Sequence, residues 1–265
     1  MRIRNGTQDL RMMIRKGSRG EEVKQLQRLL GITADGIFGN GTEAAVIAFQ
    51  REHGLVPDGI VGPLTWVALE TSATPSIVYM PLSVHITKSV GRPIKYLAIH
   101  YTAGSSSASG RARAVKSVFE SRKASADFVV DDNEIVQFNP DIANYYCWAV
   151  GDTKQGKVNC PDGCNRNTIS IEICSSLAKG TTAAIPNHVG WYFTDAVLDK
   201  AEKLAKMLMD KYHIPIERVV RHYDISGKLC PGIVGWNNGR LYSTDGKVTT
   251  SYNNSRKWLE FKARL

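Results

Sequence analysis

The run Thr168-Ile169-Ser170-Ile171-Glu172-Ile173-Cys174 alternates without a break, with isoleucines at every second position and Ser170, Glu172 and Cys174 between them. Successive side chains of a strand point to opposite faces, so the run predicts a strand with one apolar face and one face carrying a carboxylate. A carboxylate there is costly unless its face is polar. On pattern alone two readings stay open: an edge strand with one side in solvent, or an interior strand facing a polar cleft. Working outward, Tyr96-Leu97-Ala98-Ile99-His100-Tyr101, Phe128-Val129-Val130, Ile135-Val136-Gln137-Phe138 and Val219-Val220-Arg221-His222 also read as strands. The second and third of these are joined by Asp131-Asp132-Asn133-Glu134. Helical patterns run from Ala108 to Ser121 and, behind the cap Thr194, to Tyr212. Strands alternating with helices over about 190 residues predict one α/β domain with a central sheet packed by helices.

The histidines divide on context. His53, His85, His188 and His213 fall in helix or loop settings and read as surface or packing residues. His100 and His222 each close an apolar strand, where α/β folds build sites. Cys230 follows in His222-Tyr223-Asp224-Ile225-Ser226-Gly227-Lys228-Leu229-Cys230-Pro231-Gly232. Two imidazoles and a thiolate suit Zn²⁺, and three protein ligands leave a fourth position open, as catalytic sites do. The alternative on spacing is two core histidines and a buried thiol. Cys160-Pro161-Asp162-Gly163-Cys164 is a rival ligand pair, with Cys147 or Cys174, although free thiols are the preferred reading of all four.

The amino-terminal part has its own signature. Asp35-Gly36-Ile37-Phe38-Gly39-Asn40-Gly41-Thr42 recurs as Asp58-Gly59-Ile60-Val61-Gly62-Pro63-Leu64-Thr65. Each copy reads as a glycine-rich turn that delivers a threonine to a helix N-cap. Helices are predicted over Glu21 to Leu30, over Glu43 to His53 and from Trp66, giving a small all-α three-helix bundle. Lys16-Gly17-Ser18-Arg19-Gly20-Glu21-Glu22-Val23, Leu26-Gln27, the two turns, Ala48-Phe49-Gln50-Arg51 and Gly54-Leu55 together resemble the peptidoglycan-binding domain family of cell-wall hydrolases. That resemblance implies wall anchoring. Thr71-Ser72-Ala73-Thr74-Pro75-Ser76 then reads as a linker, dividing the chain into a wall-binding domain at 1–70, a linker at 71–77 and a catalytic domain at 78–265.

Four motifs of the larger part resemble the type-2 N-acetylmuramoyl-L-alanine amidases, a family that includes phage lysozyme-type amidases and peptidoglycan recognition proteins. They are Ala98-Ile99-His100-Tyr101-Thr102-Ala103, Asn167-Thr168-Ile169-Ser170-Ile171-Glu172-Ile173, Phe193-Thr194, and His222-Tyr223-Asp224-Ile225 with Lys228, Cys230, Pro231 and Gly232. The resemblance implies a mixed sheet, zinc on His100, His222 and Cys230, Glu172 as general base and Lys228 as the group that steadies the tetrahedral intermediate. It places Tyr101, Thr102, Asp127 and Trp148 at the substrate. Two departures stand out. Ala126-Asp127-Phe128 replaces a Tyr-His-Phe stretch of some relatives, leaving Asp127 as an accessory acid. Trp148-Ala149-Val150-Gly151 lacks a histidine that relatives use on substrate. The stretch from Ile233 to Ser255 reads as an inserted hairpin or loop before a helix Arg256 to Leu265, its aromatics either extending a glycan groove or packing the chain end.

Composition bounds the partners. Thirty-four Lys and Arg against 25 Asp and Glu give a formal +9, attractive to nucleic acid, anionic membrane or an acidic wall polymer. The basic residues are spread out with no interleaved aromatic motif, so nucleic acid is not expected as a partner. No run suits a membrane span. Met1 to Asp9 is basic and polar with no apolar region behind it, so no export signal is expected. The expectation is a monomeric, zinc-dependent endolysin, made in the cytoplasm, that cuts peptidoglycan between N-acetylmuramic acid and L-alanine. The alternatives are a non-catalytic peptidoglycan-recognition protein, which in this family usually lacks the Cys ligand, and a cytoplasmic muropeptide-recycling amidase.

Overall fold

The computed structural model describes residues 13–73, 75–103, 111–151, 160, 162–179, 181, 185–242, 248–249 and 254–265. The basic stretch 1–9, the first residues of the helix expected from 108, Pro161, and Asp245-Gly246 of the inserted segment lie outside them. The chain separates into two compact units, Met1–Pro75 and Ser76–Leu265.

The first unit carries α1 (Glu21–Leu29), α2 (Asn40–Glu52) and α3 (Pro63–Ala73). Val23, Leu26, Phe38, Val46, Val61, Trp66 and Leu69 form its core. The expected threonine caps are not there. Thr42 and Thr65 lie inside α2 and α3, and Gly39, which caps α2, has no side chain to offer. Each threonine instead serves a buried glutamine. Gln27 Nε2 donates to Asp35 Oδ1 (2.7 Å), to the Ile37 carbonyl (3.1 Å) and to Thr42 Oγ1 (3.0 Å). Gln50 repeats the pattern on Asp58 (3.0 Å), Ile60 (2.9 Å) and Thr65 (3.3 Å). A buried amide must find partners for its donors, so the repeat encodes one polar knot used twice.

In the second unit the chain runs β1 (Ile77–Tyr79), β2 (Ile86–Lys88), β3 (Tyr96–Thr102), α4 (Arg111–Ser121), β4 (Phe128–Val130), β5 (Ile135–Gln137), β6 (Tyr145–Cys147) and β7 (Thr168–Cys174). It continues through β8 (Ser176–Leu177), β9 (Trp191–Tyr192), α5 (Asp195–Tyr212), β10 (Val219–Arg221), α6 (His222–Ser226), β11 (Leu241–Tyr242), β12 (Val248–Thr249) and α7 (Arg256–Ala263). The main sheet has the order β1-β5-β4-β7-β3-β10 and is mixed: β4 and β5 pair antiparallel, and every other pair is parallel. The second unit is therefore an α/β domain. β7 lies between β4 and β3, which removes the edge-strand reading of Glu172.

Both sheet faces are covered, as parallel strands require. Leu97, Ile99, Ile169, Ile171 and Ile173 pack with Val197, Ala201, Leu204, Ala205 and Leu208 of α5. Each fully buried leucine there contributes about 1.5–3 kcal/mol. Thr194 caps α5 as the sequence suggests, its hydroxyl accepting the Val197 N–H at 3.2 Å. The opposite face packs Val129 and Val136 against Ala112 and Phe119 of α4, and Ala98 against Val150 and Ile225. The inserted segment contributes Trp236 to the core, where it meets Phe193, Trp258 and Phe261 edge-on or tilted at 4.9–5.9 Å. This tryptophan packs the chain end instead of extending a groove.

Candidate functional site

Parallel pairing of β3 with β7 sets His100 directly opposite Glu172. Paired residues point to the same side, and by alternation that side is the one opposite α5. His100 is buried, and its Nδ1 lies 3.9 Å from Glu172 Oε1. The register of two central strands thus fixes the pair.

The second imidazole arrives on a different element from the one expected. β10 ends at Arg221, so His222 is the first residue of the short helix α6 and not the end of a strand. Arg221 anchors that turn. Its Nε and Nη2 donate to the two oxygens of Asp224 at 2.8 and 2.6 Å, and its Nη1 donates to the Trp236 carbonyl (2.7 Å) and Ser255 Oγ (2.8 Å). α6 closes at Gly227, whose φ of 78° suits glycine and turns the chain back. The Tyr223 N–H then donates to the Cys230 carbonyl at 3.1 Å, which returns the thiol beside the histidines. The interval from His222 to Cys230 is therefore one helical turn plus its reversal.

His100, His222 and Cys230 each offer a ligand atom, all within 4.8 Å of one another and all in buried residues. The imidazole centroids are 4.7 Å apart, and Cys230 Sγ lies 3.8 Å from His100 Nδ1. Burial, with Lys228 nearby, lowers the His222 pKa to about 4. Burial also pushes His100 down, helped by the His222 and Lys228 charges, and drives the Cys230 thiol up. Glu172, 19% exposed, is pushed up to about 8 by burial against the opposing pull of Lys228. Among the described residues His100 Nε2, His222 Nδ1 and Glu172 Oε2 are buried without a hydrogen-bond partner. Buried polar atoms are normally satisfied. Neutral imidazoles, a thiol and orphaned polar atoms in one place form a donor set suited to a metal ion. Lys228 itself is exposed.

The other expected site residues fare differently. Thr102 stays at the end of β3, on the same face as His100, with its carbonyl accepting from Ser175 Oγ. Tyr101 points to the α5 side. Its hydroxyl donates to Asn187 Oδ1 (2.9 Å) and accepts the Asn187 N–H (2.8 Å), so in this structure it holds a loop. Asp127 is wholly enclosed. It pairs with Arg92 (3.5 Å), accepts from Asn139 Nδ2 (2.6 Å) and the Ser170 N–H (2.7 Å), and is a structural carboxylate instead of an accessory acid. Trp148 makes its contacts with Thr87 (2.9 Å), His85 and Ser125. Cys147, Cys160, Cys164 and Cys174 form no disulfide among the described residues, and none joins a ligand group there. The sequence reading missed Arg221 and Asp224 as the pair that seats His222; their three-residue spacing around it was the available signal.

A family model described as N-acetylmuramoyl-L-alanine amidase matches residues 90–233, which contain all three ligand candidates, Glu172 and Lys228. The chain belongs to this amidase family. A second model, a peptidoglycan binding domain, matches residues 19–69 of the amidase-family chain. Over 137 residues the chain is 30% identical to N-acetylmuramoyl-L-alanine amidase CwlA and 31% identical to XlyB, both of Bacillus subtilis (strain 168). Each match takes in 52% of this chain, and 43% and 37% of those relatives, so the chain spans less than half of their length. The solved catalytic domain of XlyA is 26% identical, covering 71% of this chain and 98% of that one at a TM-score of 0.46. Among the described residues no helix is long and apolar enough to cross a membrane.

Proposed function

We propose that this chain is a zinc-dependent peptidoglycan hydrolase that cleaves the amide between the lactyl group of N-acetylmuramic acid and the L-alanine of the stem peptide, in the manner of an endolysin. The observation that carries the reading is the convergence of His100, His222 and Cys230 beside Glu172, the one carboxylate of β7, which is half-buried. Two imidazoles and a thiol fit Zn²⁺ by donor chemistry, and their number leaves a position for substrate. When bound there, Zn²⁺ supplies Lewis acidity, polarising the scissile carbonyl, acidifying water and drawing down the Glu172 pKa by its charge.

The protein's own groups do the rest. Glu172 takes the proton from attacking water and returns it to the leaving amine; burial raises its pKa, and the charge of the bound ion would offset that rise and leave the carboxylate free to accept the proton. Its rigid place opposite His100 holds the proton-accepting oxygens at the reacting centre. Lys228 brings a positive charge that is felt at Glu172 and both histidines, and it stabilises the developing oxyanion. Thr102 contributes to the substrate face at the end of β3.

Residues 1–70 are the wall-binding domain, which carries the enzyme to insoluble substrate. The enzyme works as a monomer on the wall after leaving the cytoplasm. A non-catalytic recognition role is disfavoured because that role needs neither the thiol nor the half-buried carboxylate. Metal content and wall solubilisation measured on the same samples test the reading. Wild type should hold one zinc per chain and release soluble peptide, and Cys230→Ser should lose both. Wall solubilisation by a Cys230→Ser chain free of zinc would overturn it.

A further inference from the structure

The two repeated turns of the first unit are equal in their buried glutamine knot and unequal in what they leave open beside it. The first borders a crevice of about 320 Å³, lined by Gln27, Ile32, Thr33, Asp35, Ile37 and Gly41 among others. That volume lies at the small end of ligand pockets, about 300–1,000 Å³. In the second turn Leu64 stands where the first has Gly41, Val56 stands where it has Thr33, and Pro63 removes the amide that Asn40 keeps. Leu64 and Val56 are 75% and 74% exposed, so the second turn presents an apolar ridge.

Gly41 has no structural need to be glycine. It lies in α2 without a positive φ, and a Cβ there would meet nothing within 4 Å. A glycine in a helix gives up about 1 kcal/mol relative to alanine. Room beside the crevice is what that sacrifice secures.

The crevice offers three kinds of contact. The first-turn amides of α2 are donors that Gly39 leaves uncapped. Asp35 is an acceptor: its internal bonds from Gln27 and Ile37 both fall on Oδ1, which leaves Oδ2. Ile32 and Ile37 supply an apolar wall. An acetamido group matches all three, with a carbonyl to accept, an N–H to donate and a methyl to bury. The Asp35 charge disfavours a carboxylate or phosphate in the same place. We propose that the first turn, and not the second, is a subsite for the acetamido arm of an N-acetylated amino sugar of the glycan strand. The inference rests on the wall-binding reading of residues 1–70.

An NMR titration of the full chain with tetra-N-acetylchitotetraose tests it. Amide signals of Gly41 and Thr42 should move, the deacetylated tetramer should bind at least tenfold more weakly, and Leu64→Gly should change affinity less than twofold. Gly41→Leu should weaken binding at least tenfold. Gly41→Ala, which favours the helix and so guards against misfolding, should weaken it by a smaller factor. Equal affinity in both Gly41 variants, equal binding of the deacetylated tetramer, or shifts confined to the second turn would overturn the subsite. Sedimentation with purified sacculi separates the two readings. Wild-type binding that Gly41→Leu leaves unchanged overturns the subsite alone, and absence of wild-type binding overturns the wall-binding reading with it.

Discussion

On the proposed function, Glu172 concentrates the chemistry of the second unit in one side chain. Burial raises its pKa from about 4.5 to about 8, so without metal the folded state holds a proton that the unfolded chain releases earlier. The sign follows from linkage: the contribution to stability is full below about pH 4.5 and is lost as pH rises through about 8. Glu172→Gln cannot lose that proton. In chelator-treated protein, thermal melts of Glu172→Gln and wild type should coincide in pH trend below 4.5 and separate upward, with the variant gaining relative stability towards pH 8. A constant difference across that range would show that the carboxyl is not held protonated. Tyr101 teaches the converse lesson. It neighbours a proposed ligand in sequence, yet alternation sends it to the other face, where its hydroxyl both donates to and accepts from Asn187.

At the scale of elements, the register of β3 against β7 is the decisive feature, and a buried ion pair supports it. Arg92 donates to the carbonyls of Ile142 (2.6 Å), Asn165 (3.2 Å) and Thr168 (3.0 Å) and meets Asp127, which in turn accepts the N–H of Ser170 in β7. Removing one partner of such a pair leaves a buried charge uncompensated. Arg92→Ala should therefore destabilise the chain by about 3–5 kcal/mol in denaturant titrations, and adding Asp127→Asn should recover part of that loss. A loss under about 1 kcal/mol would mean that Asp127 is relieved by other means. Periodicity made β7, α5 and the Thr194 cap legible in the sequence, because those patterns are local. Asp127 was not legible, since its partner lies 35 positions away and only the folded sheet unites them. The threonines of the repeat were misread for the same reason: a glutamine 15 residues earlier, not the helix terminus, claims each hydroxyl.

For the whole molecule, the two compact units would, on the proposed function, divide two tasks: holding an insoluble polymer and cutting it. On the same proposal the formal +9 would add long-range attraction to an anionic wall, which salt screens over about 8–10 Å at ordinary ionic strength. Deleting residues 1–75 should lower sedimentation with sacculi at least tenfold, while zinc content stays at the wild-type level. Equal sedimentation would remove the anchoring role from the first unit. The three proposed ligands were legible as candidates because each sits in a motif with distinctive spacing, whereas their convergence depended on β10, α6 and the Gly227 reversal. The most direct measurement is product analysis of purified sacculi digested by wild type and by Glu172→Ala. Wild type should generate new L-alanine amino termini on intact glycan strands, and Glu172→Ala should generate few. New reducing sugar ends, or undiminished L-alanine termini from Glu172→Ala, would contradict the account.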